Sequence, residues 1–179
     1  PFDPDRNAGG SSGGSAAALA DGLCTLATGS DVGGSLRNPA ACCNVVSVKP
    51  SHALVPKGSD LNAFGGHTPV GVLGPMARDV ESLARMLDVI AGRAPEDPFS
   101  PPKVADYEAA VADGPAAADL QLAYSPDLDL FPVDPAVRNS LESTLGDLEA
   151  AGATVDEVTL DGPDRHTVNE TYMVEVTTD

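Results

Sequence analysis

Tryptophan is absent, aromatic residues make up only 4% of the chain, and ten lysines and arginines stand against 27 aspartates and glutamates. The resulting net charge of −17 repels phosphate backbones and anionic lipid, so nucleic-acid and membrane-surface binding by this chain are not expected. No apolar run approaches the length of a membrane span, and no basic-apolar-small leader pattern opens the sequence. Cysteine is scarce too. Cys24, Cys42 and Cys43 are too few, and odd in number, for a disulfide framework, and their apolar surroundings point to buried free thiols in a reducing compartment, hence a cytoplasmic protein. His52, His67 and His166 lack paired ligand spacing, so no metal site is expected, and Cys42-Cys43 as a metal or redox pair is the weaker reading. Neither G-x-G-x-x-G nor G-x-x-x-x-G-K-[ST] occurs, which leaves a nucleotide site without support.

The acidic residues that are present lie scattered, without the blocks of like charge that mark a disordered tail. Only eight of the 27 are glutamates. An aspartate-rich, lysine-poor surface suggests solubility in concentrated salt, where screening relieves self-repulsion; an ordinary acidic cytosolic enzyme is the alternative. At 179 residues the chain can bury a sizeable single core.

Apolar periodicity predicts an α/β arrangement. A helix-forming run covers residues 15–20, buried strands cover 23–27 and 45–48, and Pro39 restricts the segment between them to a short turn at 40–43. Residues 51–71, rich in glycine and proline, read as a long loop bordering a site. Asp79 caps an amphipathic helix that stops at Gly92, and a modest helix is expected at 104–112. Farther on, a strand at 120–124, a helix capped by Asp134 with Pro135 at its first position, and a strand at 154–158 imply a parallel pairing. That helix should bury Val137, Leu141, Leu145 and Leu148 and end at Gly152.

Two serine-bearing glycine loops stand out: Gly9-Gly10-Ser11-Ser12-Gly13-Gly14-Ser15 and Gly29-Ser30-Asp31-Val32-Gly33-Gly34-Ser35-Leu36-Arg37-Asn38-Pro39-Ala40. A serine hydroxyl becomes a nucleophile when a positioned base takes its proton, and the oxyanion it creates needs donors already aimed at it. Ser35 and Ser11 suit the nucleophile and the proton relay, and the N–H groups of Val32, Gly33, Gly34 and Ser35 suit the oxyanion. Asp31 and Arg37 flank Ser35 and should bond to each other or to the loop backbone, holding those donors; a turn aspartate and a solvated arginine are the bland alternative. A flexible linker explains the first loop alone but not the two-part pattern. Gly10 to Gly14 also fits G-x-S-x-G, with Ser12 as nucleophile and His166 as base, but that elbow must follow a buried strand and Pro1–Asn7 is none.

Residues 9–18 and 29–40, extended by 45–50 and 72–78, resemble the amidase signature family, whose members cleave or transfer amides with a Ser–cisSer–Lys triad. The resemblance implies Ser35 as nucleophile, Ser11 as relay after a cis peptide, Ser12 in a supporting place, an amide substrate, and no metal or organic cofactor. It implies the amidase-signature fold, a mixed sheet with helices on both faces. The family's lysine lies upstream of the first loop, whereas Lys49, Lys57 and Lys103 all follow Ser35. Residues 1–179 are therefore expected to be the central portion of one amidase domain, truncated at both ends and inactive alone. A stand-alone amidase is preferred to the amidotransferase A subunit, because Ser51-His52-Ala53-Leu54 follows Lys49-Pro50 in place of a Tyr-Gly stretch and Thr68-Pro69-Val70 replaces a Leu-Asp pair. A non-catalytic segment that has lost its base is the rival of another class, and homo-oligomerisation stays open.

Overall fold

The computed structural model describes residues 2–58, 70–128 and 130–177, so most of the expected 51–71 loop, with His67, lies outside the described residues. The chain divides into two compact units, Pro1–Asp113 and Gly114–Asp179. The first contains α1 (Gly13–Ala20), β1 (Leu26–Asp31), α2 (Arg37–Cys43), β2 (Val46–Ser47), β3 (Val72–Ala77), α3 (Val80–Ile90) and α4 (Tyr107–Ala112). Its sheet is antiparallel in the order β1-β3-β2, with Leu26 opposite Ala77 and Asp31 opposite Val72.

β3 tolerates Pro75 at the centre of this sheet for a local reason. Within a strand the N–H and C=O of one residue face the same neighbour, and the Pro75 carbonyl faces Val48, whose N–H donates to it at 3.5 Å just beyond β2. The missing N–H thus faces a strand that is already ending.

One sheet face is built around Leu36. Buried Ala16, Leu19, Leu36, Ala40, Cys43, Val45, Val72 and Met76 form a single apolar cluster that brings α1 and α2 onto the sheet. Gly29 and Gly74 are cross-strand partners, and a Cβ on either would lie 2.8 Å from a Leu36 methyl carbon. The two glycines therefore form the slot into which Leu36, the residue after Ser35, is seated. Alternation along β3 leaves Pro75 and Ala77, both buried, for the opposite face, where α3 packs with its buried Ala84 and Leu87 outside the Leu36 cluster.

The boundaries of these elements depart from the sequence reading in instructive ways. β1 begins at Leu26, not at 23, because Gly22 at φ +76° closes α1 and leaves Leu23 exposed in the turn. α2 starts at Arg37, so Pro39 lies inside it. Pro39 occupies the third helical position, where the N–H has no intrahelical acceptor, and proline costs nothing there. Cys43 is buried as expected, but Cys42 is exposed, since adjacent helical residues point about 100° apart. α3 has the expected Asp79 cap, which accepts from Ser82 N–H at 2.7 Å. α4 begins at Tyr107, capped by Asp106, later than the expected 104.

The second unit holds β4 (Gln121–Tyr124), α5 (Pro135–Ala150), β5 (Thr154–Glu157) and α6 (Arg165–Thr177), with β4 and β5 parallel as the strand-helix-strand pattern requires. Asp134 caps α5, Pro135 opens it, and Gly152 at φ +105° follows its end. The expected burial of the α5 stripe is corrected. Leu145 and Leu148 are half-buried, whereas Val137 and Leu141 are 52% and 45% exposed, because a two-stranded sheet covers only the C-terminal half of the helix. No helix among the described residues is long and apolar enough to cross a membrane.

Candidate active site

Both serine loops belong to the first unit, and α1, β1 and α2 place them side by side. The first loop runs into the N-terminus of α1 and contains a cis peptide at Gly10–Ser11, in accord with the expectation. Ser12 precedes α1 but does not cap it. Its hydroxyl instead accepts from Ser30 N–H at 3.2 Å, and Ser15 Oγ donates to the Thr28 carbonyl at 2.9 Å, so the loop is stitched along β1. Ser12 N–H then donates to the Ser35 carbonyl at 3.2 Å, joining the two loops directly. Ser12, spent on these bonds, is a framework residue of the site rather than a free hydroxyl.

Asp31, the last residue of β1 and fully buried, organises the second loop. Its Oδ1 accepts from Gly34 N–H at 2.8 Å and from an Arg37 guanidinium nitrogen at 3.0 Å. Its Oδ2 accepts from Arg37 Nε at 3.0 Å and from the Leu36 and Arg37 N–H groups at 3.2 and 3.4 Å. The carboxylate thus caps α2 from the end of the strand, where Leu36 has no capping side chain of its own. Burial alone would push this carboxyl up; the Arg37 fork and the backbone N–H groups overcome it and hold the group well below the usual carboxylate range. The same contact raises the Arg37 guanidinium. The expected Asp31–Arg37 pairing and the expected bonding to loop backbone are both present.

This capping assigns the loop's N–H groups. Gly34 N–H, expected among the oxyanion donors, is taken by Asp31, because a buried carboxylate facing the loop must have its acceptors filled. Gly34 adopts φ +115°, a conformation that side chains rarely take, and this turns the chain so that its N–H points inward. Among the described residues the N–H groups of Val32, Gly33 and Ser35 have no protein partner, and Val32 and Gly33 are exposed. Ser11 is exposed and Ser35 half-buried, and neither hydroxyl is engaged by the described protein groups; no direct bond joins the two.

Sequence reading missed one residue here. Asn38, in the first turn of α2, accepts from Gly10 N–H through its side-chain oxygen at 3.2 Å. Its place in the motif gave no sign of this, since the contact spans 28 residues. His52 and His166 lie in different units, and no group of three His, Cys, Asp or Glu side chains among the described residues could hold a metal ion.

The chain is similar in sequence and in fold to known proteins. The Amidase family model matches residues 1–179. The A subunit of the glutamyl-tRNA(Gln) amidotransferase of Salinibacter ruber is 42% identical over 161 residues, which cover 89% of this chain and 30% of that protein. The protein of the same name from Halobacterium salinarum is 40% identical over 170 residues, 89% of this chain and 37% of that protein. Among solved structures, a bacterial aryl acylamidase of the amidase signature enzymes superposes with a TM-score of 0.87 at 32% identity, covering 98% of this chain and 36% of that one. The chain thus spans about a third of the length of the relatives it matches. With the family model matched from end to end and the fold shared with solved members, the chain belongs to the amidase signature family.

Proposed function

We propose that this chain carries the nucleophile half of an amidohydrolase acting on a carboxylic amide. The observation that supports it is the junction of the two loops through Ser12 N–H and the Ser35 carbonyl, next to two hydroxyls and three N–H groups that are uncommitted among the described residues. Ser35 Oγ attacks the amide carbonyl while Ser11 takes its proton, and the N–H groups of Val32, Gly33 and Ser35 hold the oxyanion. The C–N bond then breaks, the proton returns through Ser11 to the leaving amine, and an acyl-serine remains. Water, deprotonated along the same relay, attacks the ester carbonyl and frees the acid and Ser35. The base behind Ser11 is a lysine contributed by sequence outside residues 1–179, which form the central part of one amidase domain in a cytoplasmic enzyme. Asp31 and Arg37, bonded to each other and to the loop backbone, act as positioning residues.

A second reading is favoured by the names of the curated relatives: an amidotransferase A subunit that hydrolyses an amide to pass on its nitrogen. The loop geometry serves both, because acyl-serine formation releases the amine in either case. The test for both is Ser35→Ala in the intact gene product. Loss of amide hydrolysis and of fluorophosphonate labelling is expected, and undiminished labelling refutes the assignment. Glutamine as substrate, with activity appearing only when further subunits are added, would favour the second reading over the first.

A further inference from the structure

The two serines of the proposed site sit on different elements, so something must fix the distance between their hydroxyls. Ser11 follows Gly10 and Ser35 follows Gly34. Asn38 is bonded to both of these preceding glycines: its backbone N–H donates to the Gly34 carbonyl at 2.7 Å, and its side-chain Oδ1 accepts from Gly10 N–H at 3.2 Å. Because Gly10 N–H can only donate, the carboxamide presents its oxygen to the loop. The approach is close. A Cβ on Gly9 would lie 2.5 Å from Asn38 Oδ1 and 2.9 Å from Pro39 Cα, and Gly9 holds φ +75°, so the first loop lies against the first turn of α2 with no space for any other residue type.

We infer that Asn38 is a positioning residue that sets Ser11 against Ser35. The ties made by Ser12, to Ser30 on β1 and to the Ser35 carbonyl, both lie downstream of the Ser11 side chain. On the upstream side, Asn7 Oδ1 accepts from Gly9 N–H within the first loop itself, and Cys43 Sγ donates to the Ala8 carbonyl at 3.5 Å, farther back. Asn38 is the described side chain of the second loop's helix that reaches Gly10, the residue joined to Ser11. Without it the segment between Ala8 and Ser12 can pivot, carrying the Ser11 hydroxyl with it. An aspartate would keep the acceptor at the same reach, whereas leucine, of similar size, has none. This rests on the reading of Ser35 and Ser11 given above.

The experiment measures fluorophosphonate inactivation of the intact gene product, resolved into a maximal labelling rate and an apparent binding constant, for Asn38→Leu, Asn38→Asp and Ser35→Ala. Asn38→Leu should lower the maximal rate about 10- to 100-fold, the effect of a misplacement near 1 Å, with the binding constant within about twofold. Its melting temperature should stay near that of the parent, since the bond is exposed. Asn38→Asp should restore most of the rate. An Asn38→Leu rate equal to the parent's, or an Asn38→Asp rate as low as that of Asn38→Leu, overturns the inference. Labelling that survives in Ser35→Ala would instead overturn the reading on which it rests.

Discussion

Replacing Asp31 by asparagine probes the carboxylate that holds the Gly34, Leu36 and Arg37 N–H groups. The substitution keeps the shape of the side chain and one acceptor oxygen, and turns the other oxygen into a donor. If the new NH2 replaces Oδ1, it faces Gly34 N–H at the 2.8 Å contact; if it replaces Oδ2, it faces the N–H groups of Leu36 and Arg37. At least one backbone donor is therefore left without an acceptor in either orientation, at a cost of about 1–3 kcal/mol. The lost charge pairing adds less than a fully buried pair would, because the Arg37 side chain is 56% exposed and water takes over part of its solvation. We set that part at about 1 kcal/mol. The sum, roughly 2–4 kcal/mol, should appear as a lower urea midpoint with the slope unchanged. Labelling of Ser35 should slow as well, since a released Gly34 N–H no longer fixes the loop. A loss under about 0.5 kcal/mol, the level of an ordinary surface change, would show that Asp31 does not organise the loop.

Other outcomes follow from the packing and charge. Gly74→Ala would place a Cβ 2.5 Å from the Val48 carbonyl and 2.8 Å from Leu36, so unfolding measurements should show a loss of about 1–3 kcal/mol from overpacking; a neutral result would mean that the Leu36 slot is loose. Asp88, on α3, accepts from the Tyr107 and Glu108 N–H groups and from Lys103, and the backbone bond to Tyr107 is the main cause of its descent to about 2. Its carboxyl lies lower in the folded state than unfolded, so its contribution is present above about pH 4 and disappears as pH falls toward 2. Protection of the Tyr107 and Glu108 amides from hydrogen exchange, taken against the intrinsic rate at each pH, should fall over that window, and Asp88→Asn should abolish the pH step. The net charge of −17 should make the melting temperature rise as salt is added to dilute buffer, and a flat or falling response would count against a salt-adapted surface.

The glycine spacing announced both serine loops, because close backbone approach leaves few alternatives to glycine and the chemistry leaves few to serine. Asp31 with Arg37 was legible for a similar reason: opposite charges six residues apart, astride a tight loop, have one obvious partner each. The contacts that cross the fold were not. Asn38 reads as a surface residue of a short helix until Gly10 is brought to it, and the Gly29–Gly74 slot exists only once β1 and β3 are in register. The start of α2 escaped because proline is usually a helix stop, and only its place in the first turn makes it harmless. Periodicity correctly gave α5 but overstated its burial, since an apolar stripe records what a helix can cover and not what covers it.

Acyl transfer through Ser35 would leave a covalent mark on that residue. The most direct test is to quench the intact gene product during turnover of an ester or amide with a slow-leaving acyl group, then locate the acyl mass by peptide mapping. The added mass is expected on Ser35, absent from Ser35→Ala, and accumulating only at a much reduced rate when Ser11 is replaced by alanine. Acyl mass on Ser12 or Ser11 in the parent protein, or turnover with no acylated serine at any time, would contradict it.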